Sequence, residues 1–192
     1  MPFEINPDKP QEVHIVSLLL NYGDLLIPIE QKTEDGNATE VVSYTVAQMI
    51  VGDILSDKIT FQDRQCQIIF NEYAKCISEG LTHVDTQIFV IHEDEQVREM
   101  AITMMMEGYQ VSNKWQEDKH IYVPKPEDRI RNDVEESILT LKLKKLDKRI
   151  NDIDIQFPYA KDDDEKLMLM SQKMQLIKIK QKLGQSLNRV IS

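Results

Sequence analysis

Between residues 139 and 190 apolar side chains recur at steps of three and four on both sides of a single break, and this constrains the fold most. Leu139, Leu143, Leu146, Ile150 and Ile153 trace a heptad seam. Ile130, Val134, Ile138 and Leu141 form a second stripe beside it. Phe157-Pro158-Tyr159 interrupts the pattern, because a proline ring cannot continue a helix. Asp162 and Glu165 then have the spacing of a capping box, and a second helix follows. It carries Leu167, Met170, Met174 and Ile177 on one stripe, and Leu176, Ile179, Leu183, Leu187 and Val190 on another. Two long amphipathic helices around a short turn make a helical hairpin. The first, over 129–155, would be about 40 Å long. Each helix can cover one stripe against its partner, so the remaining stripes must meet something else.

The rest of the chain reads as shorter helices. Residues 11–23 give an apolar helix with Val13, Val16 and Leu20 in line; Pro10 suits its first turn, and Gly23 is placed to end it. Residues 39–55 read as a helix with Val42, Val46, Met49, Ile50 and Ile54 inward. Residues 63–78 follow, with Cys66, Ile69, Phe70, Tyr73 and Ile77 inward and Gly80 as terminator. Two more helices are expected over 85–91 and 94–106, before Gly108. The polar stretch between Leu25 and Ala38 reads as a surface loop. His120 to Val123 reads as a short strand or an extended linker, and a single strand lacks a partner. The expectation is an all-α fold: a bundle over 1–124, then a hairpin over 125–192.

Charge and composition exclude several classes. With 33 acidic and 23 basic residues the net charge is −10, which argues against the nonspecific DNA grip of a basic domain. The charge is uneven, with lysines crowding 142–149 and 173–182 and an acidic first 120 residues. That pattern suggests a protein partner, with nucleic acid second. No apolar run approaches the roughly 20 residues of a membrane span. Two cysteines, Cys66 and Cys76, form neither a disulfide framework nor a zinc pattern, which fits a reducing cytoplasm.

The candidates for chemistry have plainer readings. The acids of His92-Glu93-Asp94-Glu95 are consecutive and diverge, so they read as a helix start favoured by the dipole. His14 reads as a satisfied or partly buried histidine, the cysteines as core, and Met104 to Met106 as core filling. Trp115 reads as the seal of a small core. No phosphate-cradling glycine loop occurs. No metal, cofactor or catalytic residue is expected.

The order of several short motifs resembles one known family. Glu12, Ile15, Leu18, Leu19, Tyr22 and Gly23 match the pattern "E, then apolar residues, then LL-YG". Ile68, Ile69, Glu72 and Tyr73 match "I-…-EY"; Phe89, His92, Asp94 and Val97 match "F-…-H-D-…-I"; Val111, Ser112 and Trp115 match "LS-…-W". Together they resemble the helicase-binding region at the C-terminal end of bacterial DNA primase. Leu183 and Gly184 sit where many members end in "LG-R", although here Gln185 follows and the arginine is Arg189. The resemblance implies a helical bundle with a protruding hairpin that docks on the N-terminal domains of the replicative DNA helicase. It implies no primer synthesis, because the catalytic and zinc domains of primase have no counterpart here. Under that reading Phe157, Tyr159, Ile177, Lys178, Lys182, Leu183, Leu187, Arg189, Val190 and Ile191 are the partner-binding residues. The partners would be the helicase and the rest of primase, with nucleic acid met only indirectly, no membrane, and at most a weak homodimer. The alternative is a helical adaptor or coiled-coil homodimer unrelated to replication.

Overall fold

The computed structural model describes residues 8–32, 39–115 and 126–191, with the side chains of 32, 107–115, 126–128 and 191 outside the description. It divides into two compact units, 1–134 and 135–192. Among the described residues the regular structure is helical except for one small sheet of two antiparallel strands.

In the first unit, α1 (Lys9–Tyr22) packs against α2 (Val46–Ser56), α3 (Arg64–Ser78) and α5 (Glu95–Trp115). Ile15, Val16 and Leu19 of α1, Ile50 and Ile54 of α2, Ile69 and Tyr73 of α3, and Val97 and Ala101 of α5 are buried. The one-turn α4 (Gln87–Val90) brings Phe89 onto Tyr73, the rings stacked with centroids 5.7 Å apart. Phe61 meets Phe70 edge-on at 5.0 Å. Such ring pairs are worth about 1 kcal/mol beyond the area they bury.

Two buried devices fix where helices begin and end. Glu12 is fully buried on α1, and its two carboxylate oxygens accept the Gln62 and Asp63 amides, each at 2.8 Å. Asp63 in turn caps α3 by accepting the Gln65 and Cys66 amides. At the far end of α1 the reason for Gly23 differs from the expected one. Its φ is −50°, so no left-handed turn requires it. A Cβ there would lie 2.4 Å from the Leu19 carbonyl oxygen and 3.2 Å from the Tyr73 ring. The phenol of Tyr73 donates to that same carbonyl at 2.8 Å, so glycine is what lets α3 approach the end of α1. Gly80, by contrast, does have a positive φ, of 81°. The Leu81 and Gly80 amides donate back to the Cys76 and Ile77 carbonyls, a Schellman end.

The sequence expectation fails over 26–32 and 39–45. Residues read as loop and helix form β1 (Leu26–Lys32) and β2 (Thr39–Thr45), antiparallel, with Ile29 opposite Val42. Val42 and Val46 have helical spacing, but Val41, Val42, Tyr44 and Thr45 are β-branched or aromatic and favour a strand. The helix starts only at Thr45, where a T-x-x-Q capping box closes: Thr45 Oγ1 accepts the Gln48 amide, and Gln48 Oε1 accepts the Thr45 amide. Two further expectations shift. α5 does not stop at 106 but runs through Gly108 to Trp115, since one glycine inside a helix costs only about 1 kcal/mol. The helix read over 85–91 shortens to four residues. Residues 120–123 and the expected boundary at 124/125 lie outside the described residues, as does the side chain of Trp115.

In the second unit, α6 (Pro126–Gln156), whose first turns belong to the first unit, ends in a 3-10 turn at Phe157–Tyr159, and α7 (Asp163–Ile191) returns. Asp162 accepts the Glu165 amide at 2.8 Å while Glu165 accepts the Lys161 amide at 2.6 Å, so the capping pair read from the sequence forms. Of the second stripe of α6, Val134, Ile138 and Leu141 are buried and Ile130 is half-buried.

Candidate functional site

The side of α7 that meets α6 is a seam of alternating four- and three-residue steps: Leu169, Lys173, Leu176, Lys180, Leu183, Leu187 and Val190. Leu169 is buried and the others are half-buried. Two of the seven are lysines, and each crosses to α6. Lys173 Nζ lies 2.5 Å from Asp154 Oδ1, and Lys180 Nζ lies 2.5 Å from Asp147 Oδ1. These pairs are partly exposed and each stabilises by at most about 1 kcal/mol. Their value lies in register, since both bridges form only at one alignment of the helices.

The other stripe of α7 stays in water. Leu167 is 64% exposed and Met174 56%, with Met170 between them and Ile177 one turn further on also exposed. Met168 and Ile179 add to this surface, and near the turn Ile155 and Tyr159 are exposed as well, Tyr159 at 83%. This concentration on one helix is unlike the single exposed apolar residues normal for a soluble protein. Methionine suits such a surface because its unbranched thioether adapts to uneven partners.

The charge on α7 is as segregated as its hydrophobicity. Asp162, Asp163, Asp164 and Glu165 gather at its start, where acids complement the helix dipole. From Lys166 to Ser192 there is no acid, but there are six cations: Lys166, Lys173, Lys178, Lys180, Lys182 and Arg189. Lys166 pairs with Asp163, and Lys173 and Lys180 pair across the seam. Among the described residues no acid pairs with Lys178, Lys182 or Arg189, and all three are exposed.

The partner-binding residues named from the sequence therefore separate into groups. Leu183, Leu187 and Val190 lie half-buried on the seam. Ile177, Lys178, Lys182, Arg189 and Tyr159 are exposed, and Phe157 is half-buried at the turn. The side chain of Ile191 is outside the described residues. The exposed stripe also holds Leu167, Met170 and Met174, which lie outside the partner-binding set that the resemblance implies. The missing signal was the pair of lysines that assign the other stripe to α6.

The remaining candidates have structural partners. Asp94 accepts the Gln96 amide at the start of α5 and pairs with Arg64 at 2.9 Å. His14 faces Asp133 at 2.9 Å and His83 faces Asp24 at 2.5 Å, both pairs exposed. Cys66 is buried, and burial pushes its thiol far up, so it stays protonated. A cleft of about 450 Å³ opens beside His83 between Leu20, Tyr22 and Thr86. Of the two phenols that line it, Tyr73 is pushed up by burial and already donates to the Leu19 carbonyl. Among the described residues no cluster of three His, Cys, Asp or Glu is placed to hold a metal, and no helix is long and apolar enough to cross a membrane.

A family model described as a domain of unknown function, DUF8430, matches residues 2–190, and the chain belongs to that family. No curated protein and no solved structure matches it.

Proposed function

We propose that this DUF8430 member is a non-catalytic docking domain of the primase C-terminal kind, which binds the N-terminal domains of the replicative DNA helicase and so couples primer synthesis to the fork. One observation carries the reading: α7 satisfies its seam with α6 and still holds Leu167, Met170, Met174 and Ile177 exposed in a row. Leaving four such side chains in water forgoes roughly 1.5–3 kcal/mol each relative to full burial, a cost that a partner would remove. The sequence resemblance supplies the partner's identity.

The mechanism is tethering. A hairpin bound to the helicase raises the local concentration of the attached synthetic domains without touching their chemistry. Any bias on the arrangement of the helicase ring requires that the hairpin bind one arrangement more tightly than another. The domain acts in the reducing cytoplasm, needs no cofactor, and meets nucleic acid only through its partners.

Light scattering on the eluting chain tests this, alone and with the purified helicase N-terminal domain. The expected result is a monomer alone and a stable complex when mixed. A folded chain that fails to form the complex refutes the reading. A tight dimer held by residues 135–192 would move the assignment to a self-associating adaptor.

A further inference from the structure

We propose that the outer face of α7 is a directional docking strip whose two halves engage different chemistry: an apolar half, Leu167, Met170, Met174 and Ile177, and a cationic half, Lys178, Lys182 and Arg189, which seats on a partner carrying an apolar groove continued by a row of carboxylates. The inference rests on the docking reading above and adds the polarity of the bound helix.

The placement follows from helical geometry. At 3.6 residues per turn, Lys178, Lys182 and Arg189 share one side of α7, opposite the seam of Leu169, Leu176, Leu183 and Leu187. They span about 16 Å along the axis. Leu167 and Met174 lie on nearly the same side, about one to three turns from Lys178 toward the hairpin tip, so the two halves follow one another on one surface. The break between them falls at Ile177-Lys178.

A solvated lysine face is the ordinary reading of exposed cations, but this one differs in what is missing. In a chain with 33 acids, none occurs after Glu165. A surface helix stabilised for itself uses acid–base pairs four residues apart, which α7 lacks beyond its first turn. Removing every acid costs such pairs and adds self-repulsion, which an anionic partner offsets.

A protein fits this strip better than a nucleic acid. Ile177 and Ile179 flank the first free lysine and are exposed, which suits a groove wall and has no counterpart in a phosphate backbone. No aromatic residue occurs after Tyr159, so the strip offers no platform for base stacking. Three free cations against a net charge of −10 would hold a polyanion weakly, whereas a few carboxylates at the rim of an apolar contact need no more than that.

The test is calorimetric titration of the intact chain with the purified helicase N-terminal domain, at about 50 and about 300 mM NaCl. The triple variant Lys178→Glu, Lys182→Glu, Arg189→Glu should bind about tenfold more weakly at low salt and lose most of the wild-type salt dependence. Met174→Asp should lose about tenfold at both salts and keep the wild-type salt slope. A glutamine triple at the same positions should give an intermediate loss, and it serves if the glutamate triple melts early. If the wild type binds and both triples match it at both salts, the cationic half makes no contact and the inference fails while the docking reading stands. If the wild type binds at neither salt, both fall. If a single-stranded DNA oligonucleotide binds the wild type and the triple abolishes that binding, the cations serve nucleic acid and the inference is overturned.

Discussion

At the scale of single residues, the first unit depends on two side chains that surface patterning would not single out. Glu12 offers one carboxylate oxygen to each of two amides. A glutamine in its place keeps the size but turns an N–H group toward one of those donors. Glu12→Gln should therefore cost about 2–3 kcal/mol, read as a fall of roughly 5–10 °C in melting temperature. Gly23→Ala should cost at least about 2 kcal/mol, because its methyl group would press on backbone rather than on a movable side chain. Asp63 gives a pH dependence. Burial alone would raise its carboxyl, but the Lys9 ammonium and the Cys66 amide outweigh that and hold it below its ordinary 3.8. A carboxyl lowered on folding stabilises above its ordinary value and stops doing so as acid protonates it. The urea midpoint should therefore fall below about pH 4, and Asp63→Asn should flatten that fall. The role of Glu12 was legible only as a letter in a motif, because nothing in the sequence shows which amides lie 50 residues away.

At the scale of elements, α7 tests the division between seam and outer face. Leu187 sits half-buried on the seam, so Leu187→Asp should lower the melting temperature as well as any binding. Met174→Asp, on the exposed side, should leave the stability within about 0.5 kcal/mol of wild type, with little change in melting temperature, and weaken binding alone. Paired circular-dichroism melts and titrations separate the two. The hairpin was readable because 3.6-residue periodicity over two long segments has few other solutions. Which stripe of α7 faces α6 was not, because Lys173 and Lys180 look like solvent positions until Asp154 and Asp147 are known to stand opposite. The strands over 26–32 and 39–45 were missed for a related reason: a two-stranded ribbon this short leaves only weak alternation, and Val42 and Val46 imitate a helical step.

At the scale of the whole molecule, the two units differ in what holds them. The first closes around Ile15, Leu19, Ile50, Ile69 and Phe89, all fully buried. A fragment ending at Val134 should fold by itself and unfold cooperatively in urea; a molten fragment would show that residues 135–192 complete its core. The second unit is a pair of helices clamped at two points seven residues apart on each strand of the hairpin. Sliding α7 by one heptad toward the turn or away from it would rescue only one of the two clamps. The short turn at Phe157–Tyr159 takes up no slack either. Under a lengthwise pull both clamps are strained at once, because the two pairs join the same two helices at the same seven-residue spacing, so shear meets them as one latch.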